Sequence, residues 1–421
     1  MNRKLVKPHT PTPQNLKNYK ISFLDNSLSP MNLAVVLYYQ SKPENYSQLE
    51  ESLAKTLVQF YPLAGRYIKN DHLVDCSDQG AEFIEAEALD IELMSLVTKT
   101  EAHQLNGDLY PDQYFVNDES AEDPLLSIQA THFPCGGLSI AVSVSHRIFD
   151  VPSLATFVVA WSSTTNPEKV VGFSPTFDFP SLLPFKDFNF GINLKRSSID
   201  ANNILVKRLL FDKAALTSLK SKIKQQNKKP ISAVSAVSAV IAKSLIRLDT
   251  KKHGKSRDFV VFQLVNIRER TIPPQPKHAC GNLCFTALTP PVSSSGIGID
   301  ELVGILDDAV EKSIADHAEI LSPDRDGRDI IMNSLGGMIK AFQNPETNFL
   351  VFADNSEFGF YEADFGWGEP VWTSTRPQRP RSNTTALMAT KDGDGIEAWV
   401  HLDENEMRCF EEDEEIKLYA S

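Results

Sequence analysis

Residues 138–145 alternate without a break, with Leu138, Ile140, Val142 and Val144 on one side and Ser139, Ala141, Ser143 and Ser145 on the other. That is the period of a strand. The run ends directly on His146, and beyond Asp150 the residues Pro152 and Ser153 open a helix that carries Leu154, Phe157, Val158 and Trp161 along one side. A strand that turns within a few residues into an apolar-striped helix demands a sheet with helices packed against it. The rest of the chain repeats the mixture. Leu33–Tyr39 reads as a strand, and Leu49, Leu53, Leu57 and Phe60 recur at helical spacing until Pro62 ends the ladder. Helices start near Asp212 and Ser232 as N-caps, the second burying Val234, Val237, Ile241, Leu245 and Leu248. Phe259–Arg270 reads as a strand buried on both faces, and Asn348–Phe352 and Gly395–Leu402 as two more. Residues 404–415 read as a closing acidic helix whose charges form a solvated face. The fold class is α/β.

A chain of 421 residues exceeds the roughly 250–300 residues at which single cores stop growing, so two domains are expected. Residues 165–205 are rich in Pro, Phe and Gly without periodicity, which suits a crossover. The expected division is 1–175, a crossover over 176–205, and 206–421. A net charge of −13 argues against nucleic acid or an anionic membrane as partner, since both reward clustered Lys and Arg. No apolar run approaches the roughly 18–20 residues that span a bilayer. The basic first residues lack an apolar stretch before the prolines, so a cytoplasmic protein is expected. Five scattered cysteines, of which only Cys280 and Cys284 lie close together, predict reduced thiols and no metal site. No heptads are present, and a monomer is expected.

Two constellations stand out, one a candidate for chemistry and one for the scaffold that supports it. Of nine histidines only His146 has an aspartate four positions on, a spacing that chance alone readily produces. Its place at a strand end, where the chain turns, can face a cleft, and a neutral imidazole there can take a proton from an alcohol. A histidine merely satisfied by a turn is the competing reading. Asp150 could orient His146 as a triad carboxylate does, but a helix-start aspartate more often caps backbone amides or pairs with a basic group, and a structural role is favoured. Asp364, Phe365, Gly366, Trp367 and Gly368 form the second constellation. Their composition suggests a tight, aromatic-packed turn whose aspartate needs a cation or backbone donors.

Together with the TyrProLeuAlaGlyArg segment at 61–66, residues Asn266–Arg270 and Gly281-Asn282, these motifs resemble the plant BAHD acyltransferases over essentially the whole chain. Val74–Gly80 and Cys135-Gly136-Gly137 agree best with the branch of vinorine synthase and salutaridinol acetyltransferase. The resemblance implies two similar-sized chloramphenicol-acetyltransferase-like domains, mixed sheets flanked by helices, with a channel at their interface. It implies an acyl-CoA co-substrate, acetyl-CoA by branch, and a small-molecule acceptor hydroxyl on a specialised metabolite such as an alkaloid or terpenoid. It implies His146 as general base without an acyl-enzyme, Asp150 paired with Arg268, Asp364–Gly368 as scaffold in the second domain, and Asn282 as a candidate CoA contact. One departure concerns Ala353, Asp354 and Asn355, which stand where relatives carry Thr-Ser-Trp or Ser-Ser-Trp, and these become acceptor-pocket candidates. An amine acceptor or a bulkier acyl-CoA on the same scaffold, and a catalytically quiet ligand-binding homologue, stay open.

Overall fold

The computed structural model describes residues 1–28, 31–41, 47–98, 107–111, 120–166, 168–169, 172–187, 204–223, 230–293, 296–342, 344, 346–375 and 383–421. The chain forms two compact units. The first comprises Met1–Gly191, Pro276–Leu283 and Phe358–Gln378, and the second Ile192–Gln275, Cys284–Glu357 and Arg379–Ser421. They are not two uninterrupted lengths of chain, as the expected 1–175 and 206–421 would be. Of the expected crossover, residues 188–203 lie outside the described residues.

The first unit is built on a six-stranded sheet in the order Asn2–Val6, Ala81–Glu87, Leu126–His132, Leu138–Ser145, Asn32–Tyr39, Trp372–Thr375. Ala81–Glu87 and Leu126–His132 run parallel, and the other neighbours are antiparallel. The last strand is the reason residues 358–378 join this unit and not the second, where the sequence placed Asp364–Gly368. It zips onto Asn32–Tyr39 with Trp372 opposite Tyr38, and their rings stack at 4.8 Å between centroids. The alternating strand Leu138–Ser145 lies inside the sheet, and all eight of its residues are buried. Its serine side is therefore dry. The Ser139 and Ser143 hydroxyls have no hydrogen-bond partner among the described residues.

Helices Ser47–Gln59 and Val151–Thr165 pack against one another in this unit. The first buries Leu49, Leu53 and Leu57, each contributing roughly 1.5–3 kcal/mol relative to exposure. Phe60, just beyond it, meets Phe157 edge to face at 5.3 Å, and Trp161 Nε1 donates to Ser52 Oγ at 3.0 Å. A small sheet of Asn18–Lys20, Leu73–Asp75 and Arg66–Ile68 completes the unit.

The second unit holds a seven-stranded sheet whose main order is Cys284–Leu288, Asp258–Asn266, Asn348–Asp354, Thr384–Ala389, Ile396–Asp403, Ile204–Phe211, with Val292–Ser293 also on Asp258–Asn266. Helices Ala233–His253 and Ile299–His317 supply Val237, Ile241, Leu245, Leu302 and Leu306 to a core that includes Leu350, Phe352 and Val400 from the strands. Asp212 and Ser232 cap their helices as expected, each accepting the backbone N–H three residues on.

Two sequence expectations need correction here. The strand expected to run to Arg270 stops at Asn266, because the Asn266 side-chain oxygen accepts the Arg268 N–H at 3.2 Å and starts a 3-10 turn over Arg268–Arg270. It is also not buried on both faces throughout, since Leu264 is 47% exposed. The closing acidic segment is two helices, Glu404–Glu411 and Glu414–Tyr419, broken where Asp413 caps the second. Its charge run is not simply solvated. Asp413 and Glu415 pair with Arg247 at 2.6 and 2.9 Å, and Glu415 also meets Lys243 at 2.7 Å. Among the described residues no helix is long and apolar enough to cross a membrane.

Candidate active site

His146 takes its position from the sheet. Ser145 closes the ladder opposite Asn32, and the His146 N–H donates to Met31 O at 2.7 Å, so backbone bonding continues through the histidine before the chain turns. The turn closes with Ile148 N donating to Ser145 O at 3.3 Å. It brings the Phe149 carbonyl back over the ring, 2.8 Å from His146 Nδ1. A carbonyl can only accept, so Nδ1 carries the hydrogen and Nε2 keeps its lone pair. Burial pushes the His146 pKa down from its ordinary value, and the Phe149 carbonyl, the Asp150 charge and the Asn282 side chain oppose this without reversing it. The ring is therefore a neutral base at neutral pH.

Asp150 is the N-cap of Val151–Thr165. Its Oδ1 accepts the Ser153 N–H at 3.0 Å and the Ser153 hydroxyl lies 2.7 Å away. The other oxygen, Oδ2, accepts the Leu283 N–H at 3.0 Å. Ser153 Oγ also accepts from Gly281 N at 3.1 Å, so the helix start and residues 281–283 are sewn together through polar groups that are all buried. Gly281 is obligatory in this arrangement: its φ is +134°, and a Cβ there would stand 2.3 Å from the Phe179 ring.

Between Gly281 and Leu283 sits Asn282, which the sequence marked as a CoA contact. Its side chain turns into the protein instead. Nδ2 donates to Asp25 Oδ1 at 2.7 Å and to the His146 carbonyl at 3.0 Å. Asp25 is a functional candidate that sequence did not single out, although Ser22 and Asp25 have the spacing of a capping box and form one, with Ser22 N on Asp25 Oδ2 at 2.8 Å. Arg147 NH1 anchors the same turn through the carbonyls of Asp25 and Leu28, at 2.9 and 3.1 Å. Burial drives the Asp25 carboxyl up to about 6, against the hydrogen bonds from Ser22 and Asn282 that favour its charged form.

The Asp364–Gly368 segment lies in the same unit but serves other residues. Partial burial pushes the Asp364 carboxyl up, and the N–H groups of Gly366 and Gly368, at 2.8 and 3.0 Å, together with Lys169 hold it below the usual range. Both glycines have φ near +105°, which fits the tight turn read from sequence. Phe365 meets Trp161 edge to face at 4.7 Å, and Tyr39 meets Phe365 and Trp367 at 6.0 and 6.1 Å. The turn thus clamps the helix that follows His146 to the strand beside it.

The remaining candidates belong to the second unit. Arg268 is 1% exposed, and its NH1 donates to Asn266 Oδ1 at 3.1 Å. Ala353 and Asp354 end the strand Asn348–Asp354, where Asp354 Oδ1 accepts from Ser356 N and Oγ at 2.9 and 2.6 Å, and Asn355 N donates to Leu387 O. Among the described residues no group of three His, Cys, Asp or Glu side chains could hold a metal ion.

Comparison with known proteins gives four results. The model of the Transferase family matches residues 1–417. A pelargonidin 3-O-(6-caffeoylglucoside) 5-O-(6-O-malonylglucoside) 4'''-malonyltransferase from Salvia splendens is 56% identical over 424 residues, covering 100% of this chain and 99% of the relative. Vinorine synthase from Rauvolfia serpentina is 35% identical over 97% of this chain and 94% of its own. The crystal structure of vinorine synthase superposes with a TM-score of 0.79 at 31% identity, covering 97% of this chain and 95% of that one.

Proposed function

Because the chain belongs to the Transferase family, as a BAHD acyl-CoA-dependent acyltransferase, we propose that it transfers a short acyl group from CoA to a hydroxyl of a small molecule with His146 as general base. The observation that carries this role is the 2.8 Å contact between His146 Nδ1 and the Phe149 carbonyl, which leaves Nε2 as the free lone pair of a neutral ring. Nε2 takes the proton of the acceptor hydroxyl as its oxygen attacks the thioester carbonyl. The C–O bond forms, the tetrahedral centre collapses, the C–S bond breaks, and the imidazolium returns its proton to the departing thiolate. No acyl-enzyme is formed. Holding donor and acceptor beside one base supplies part of the acceleration by proximity.

For the donor we place malonyl-CoA first and acetyl-CoA second. The sequence branch implies acetyl-CoA, but the relative with 56% identity is a malonyltransferase, and identity at that level weighs more than branch motifs. The same relative favours a hydroxyl on a glycosylated phenolic over the alkaloid or terpenoid acceptor expected from sequence. The test is thiol release and product mass with malonyl-CoA and acetyl-CoA, each against glucosylated pelargonidins and a panel of alkaloid and terpenoid alcohols. Malonylation of a glucoside is the expected product. Turnover confined to acetyl-CoA and an aglycone alcohol would overturn the donor and acceptor assignment while leaving the base in place.

A further inference from the structure

The turn that carries His146 is only loosely closed by its own bonds. Ile148 N donates to Ser145 O and Arg147 N to Ser145 Oγ, both at 3.3 Å, where such contacts are usually about 2.9–3.0 Å. Yet the peptide between His146 and Arg147 decides where the imidazole points. It joins the Cα that bears the ring to the stretch ending at Phe149, whose carbonyl holds Nδ1 at 2.8 Å. Rotating that peptide would carry the Phe149 carbonyl away and leave the ring free to turn. Both residues of the peptide are tied to one residue outside the turn. Asn282 Nδ2 donates to the His146 carbonyl at 3.0 Å and to Asp25 Oδ1 at 2.7 Å. Two acceptors on that side decide which way round the amide sits, because the flipped amide would set Oδ1 against both. Arg147 NH1 donates to the Asp25 carbonyl at 2.9 Å. Asp25 is itself fixed, since Oδ2 accepts the Ser22 N–H at 2.8 Å in the capping box of the helix Phe23–Ser27. The path from His146 through Asn282, Asp25 and Arg147 thus closes on itself within the first unit. Asp25, Asn282 and Arg147 are all buried, so water cannot stand in for a bond that is lost.

We propose that Asp25 and Asn282 are positioning residues of the transfer reaction, a relay that holds the His146–Arg147 peptide and thereby aims the imidazole at the acceptor hydroxyl. This rests on His146 as the base. Neither side chain takes a proton in the transfer, and their effect reaches the reaction through His146 alone. Displacing a catalytic group by about 1 Å can cost about a hundredfold in rate, so two hydrogen bonds on its backbone matter well beyond their own strength.

The test measures kcat and KM of the full chain with malonyl-CoA or acetyl-CoA, whichever supports turnover. It compares wild type, Asn282→Ala, Asp25→Asn, His146→Ala, and the first two changes each made in His146→Ala. Measurements at about pH 8 keep the Asp25 carboxyl, which titrates at about 6, in its charged form. Asn282→Ala should lower kcat by about tenfold to a hundredfold and leave KM for both substrates within about threefold. Asp25→Asn keeps the side-chain shape but offers one accepting oxygen to two donors, Ser22 N and Asn282 Nδ2, and kcat should fall by about tenfold. It decides the matter alone if Asn282→Ala does not fold. On the residual rate of His146→Ala either change should cost less than about twofold, because a residue that acts through the imidazole then has nothing to aim. A folded variant whose loss lies in KM, or recurs at full size in His146→Ala, overturns the proposal. If transfer depends on His146 and both variants keep the wild-type kcat, only the relay is wrong. If His146→Ala keeps the wild-type rate, the base assignment itself has failed.

Discussion

The Asp150 carboxylate accepts the Leu283 N–H at 3.0 Å through Oδ2 while Oδ1 caps the helix that follows His146. One side chain thereby fixes two backbones, the turn that aims the imidazole and the segment that delivers Asn282. Asp150 acts on His146 by charge and by holding its neighbours, without a hydrogen bond to the ring nitrogen that Phe149 occupies.

Asp150→Ala removes the cap and leaves a buried Leu283 N–H without its acceptor. A lost cap costs about 0.5–2 kcal/mol and an unsatisfied buried donor about 1–3 kcal/mol. A destabilisation of about 2–4 kcal/mol in denaturant titration is expected. Asp150→Asn, which cannot accept at both sites, should fall between. Wild-type stability in Asp150→Ala would contradict this account of the residue.

Phe365 stacks at 5.5 Å on Trp367 and packs edge to face on Trp161. Phe365→Ala should cost about 3–5 kcal/mol, as large-to-small changes at buried aromatic sites do. The melting temperature should fall while KM for the acyl-CoA stays within about threefold at a temperature where the variant is folded. A KM raised tenfold at unchanged stability would place this segment at the substrate rather than in the scaffold.

Asp25 titrates at about 6 in the fold, against about 3.9 in an unfolded chain. The folded state therefore holds its proton more tightly. The associated stabilisation is complete below about pH 4 and is lost as pH rises through about 6, up to about 3 kcal/mol in all. Asp25→Asn mimics the protonated form, so its stability relative to wild type should increase between about pH 4 and pH 8. Parallel stability curves across that window would show that Asp25 is not held as described.

Much of this site was legible in the sequence because it is local. The alternation from Leu138, the turn at His146 and the cap at Asp150 are all set by residues within a few positions of one another. What sequence could not convey is which distant backbone arrives to meet them. Leu283 and Gly281 reach Asp150 and Ser153 from more than a hundred residues away. Asn282 pairs with Asp25 across 257 positions, and no periodicity encodes that meeting. The motif around Asp364 was readable as a tight aromatic turn, but its membership of the first unit depends on Trp372 pairing with Tyr38. The dry serine side of Leu138–Ser145 was likewise hidden, since alternation reports the period of a strand and not what covers each face.

The central claim is that His146 is the general base, and thiol release from malonyl-CoA and acetyl-CoA in the presence of acceptor alcohols tests it most directly. Wild type should release CoA with a kcat/KM whose acid limb lies below the ordinary histidine value of 6.5, because burial depresses the ring's pKa. His146→Ala, folded by circular dichroism, should lose about 10²–10⁴-fold in kcat and the limb with it. Equal release by wild type and His146→Ala, with the same pH profile, would contradict the account.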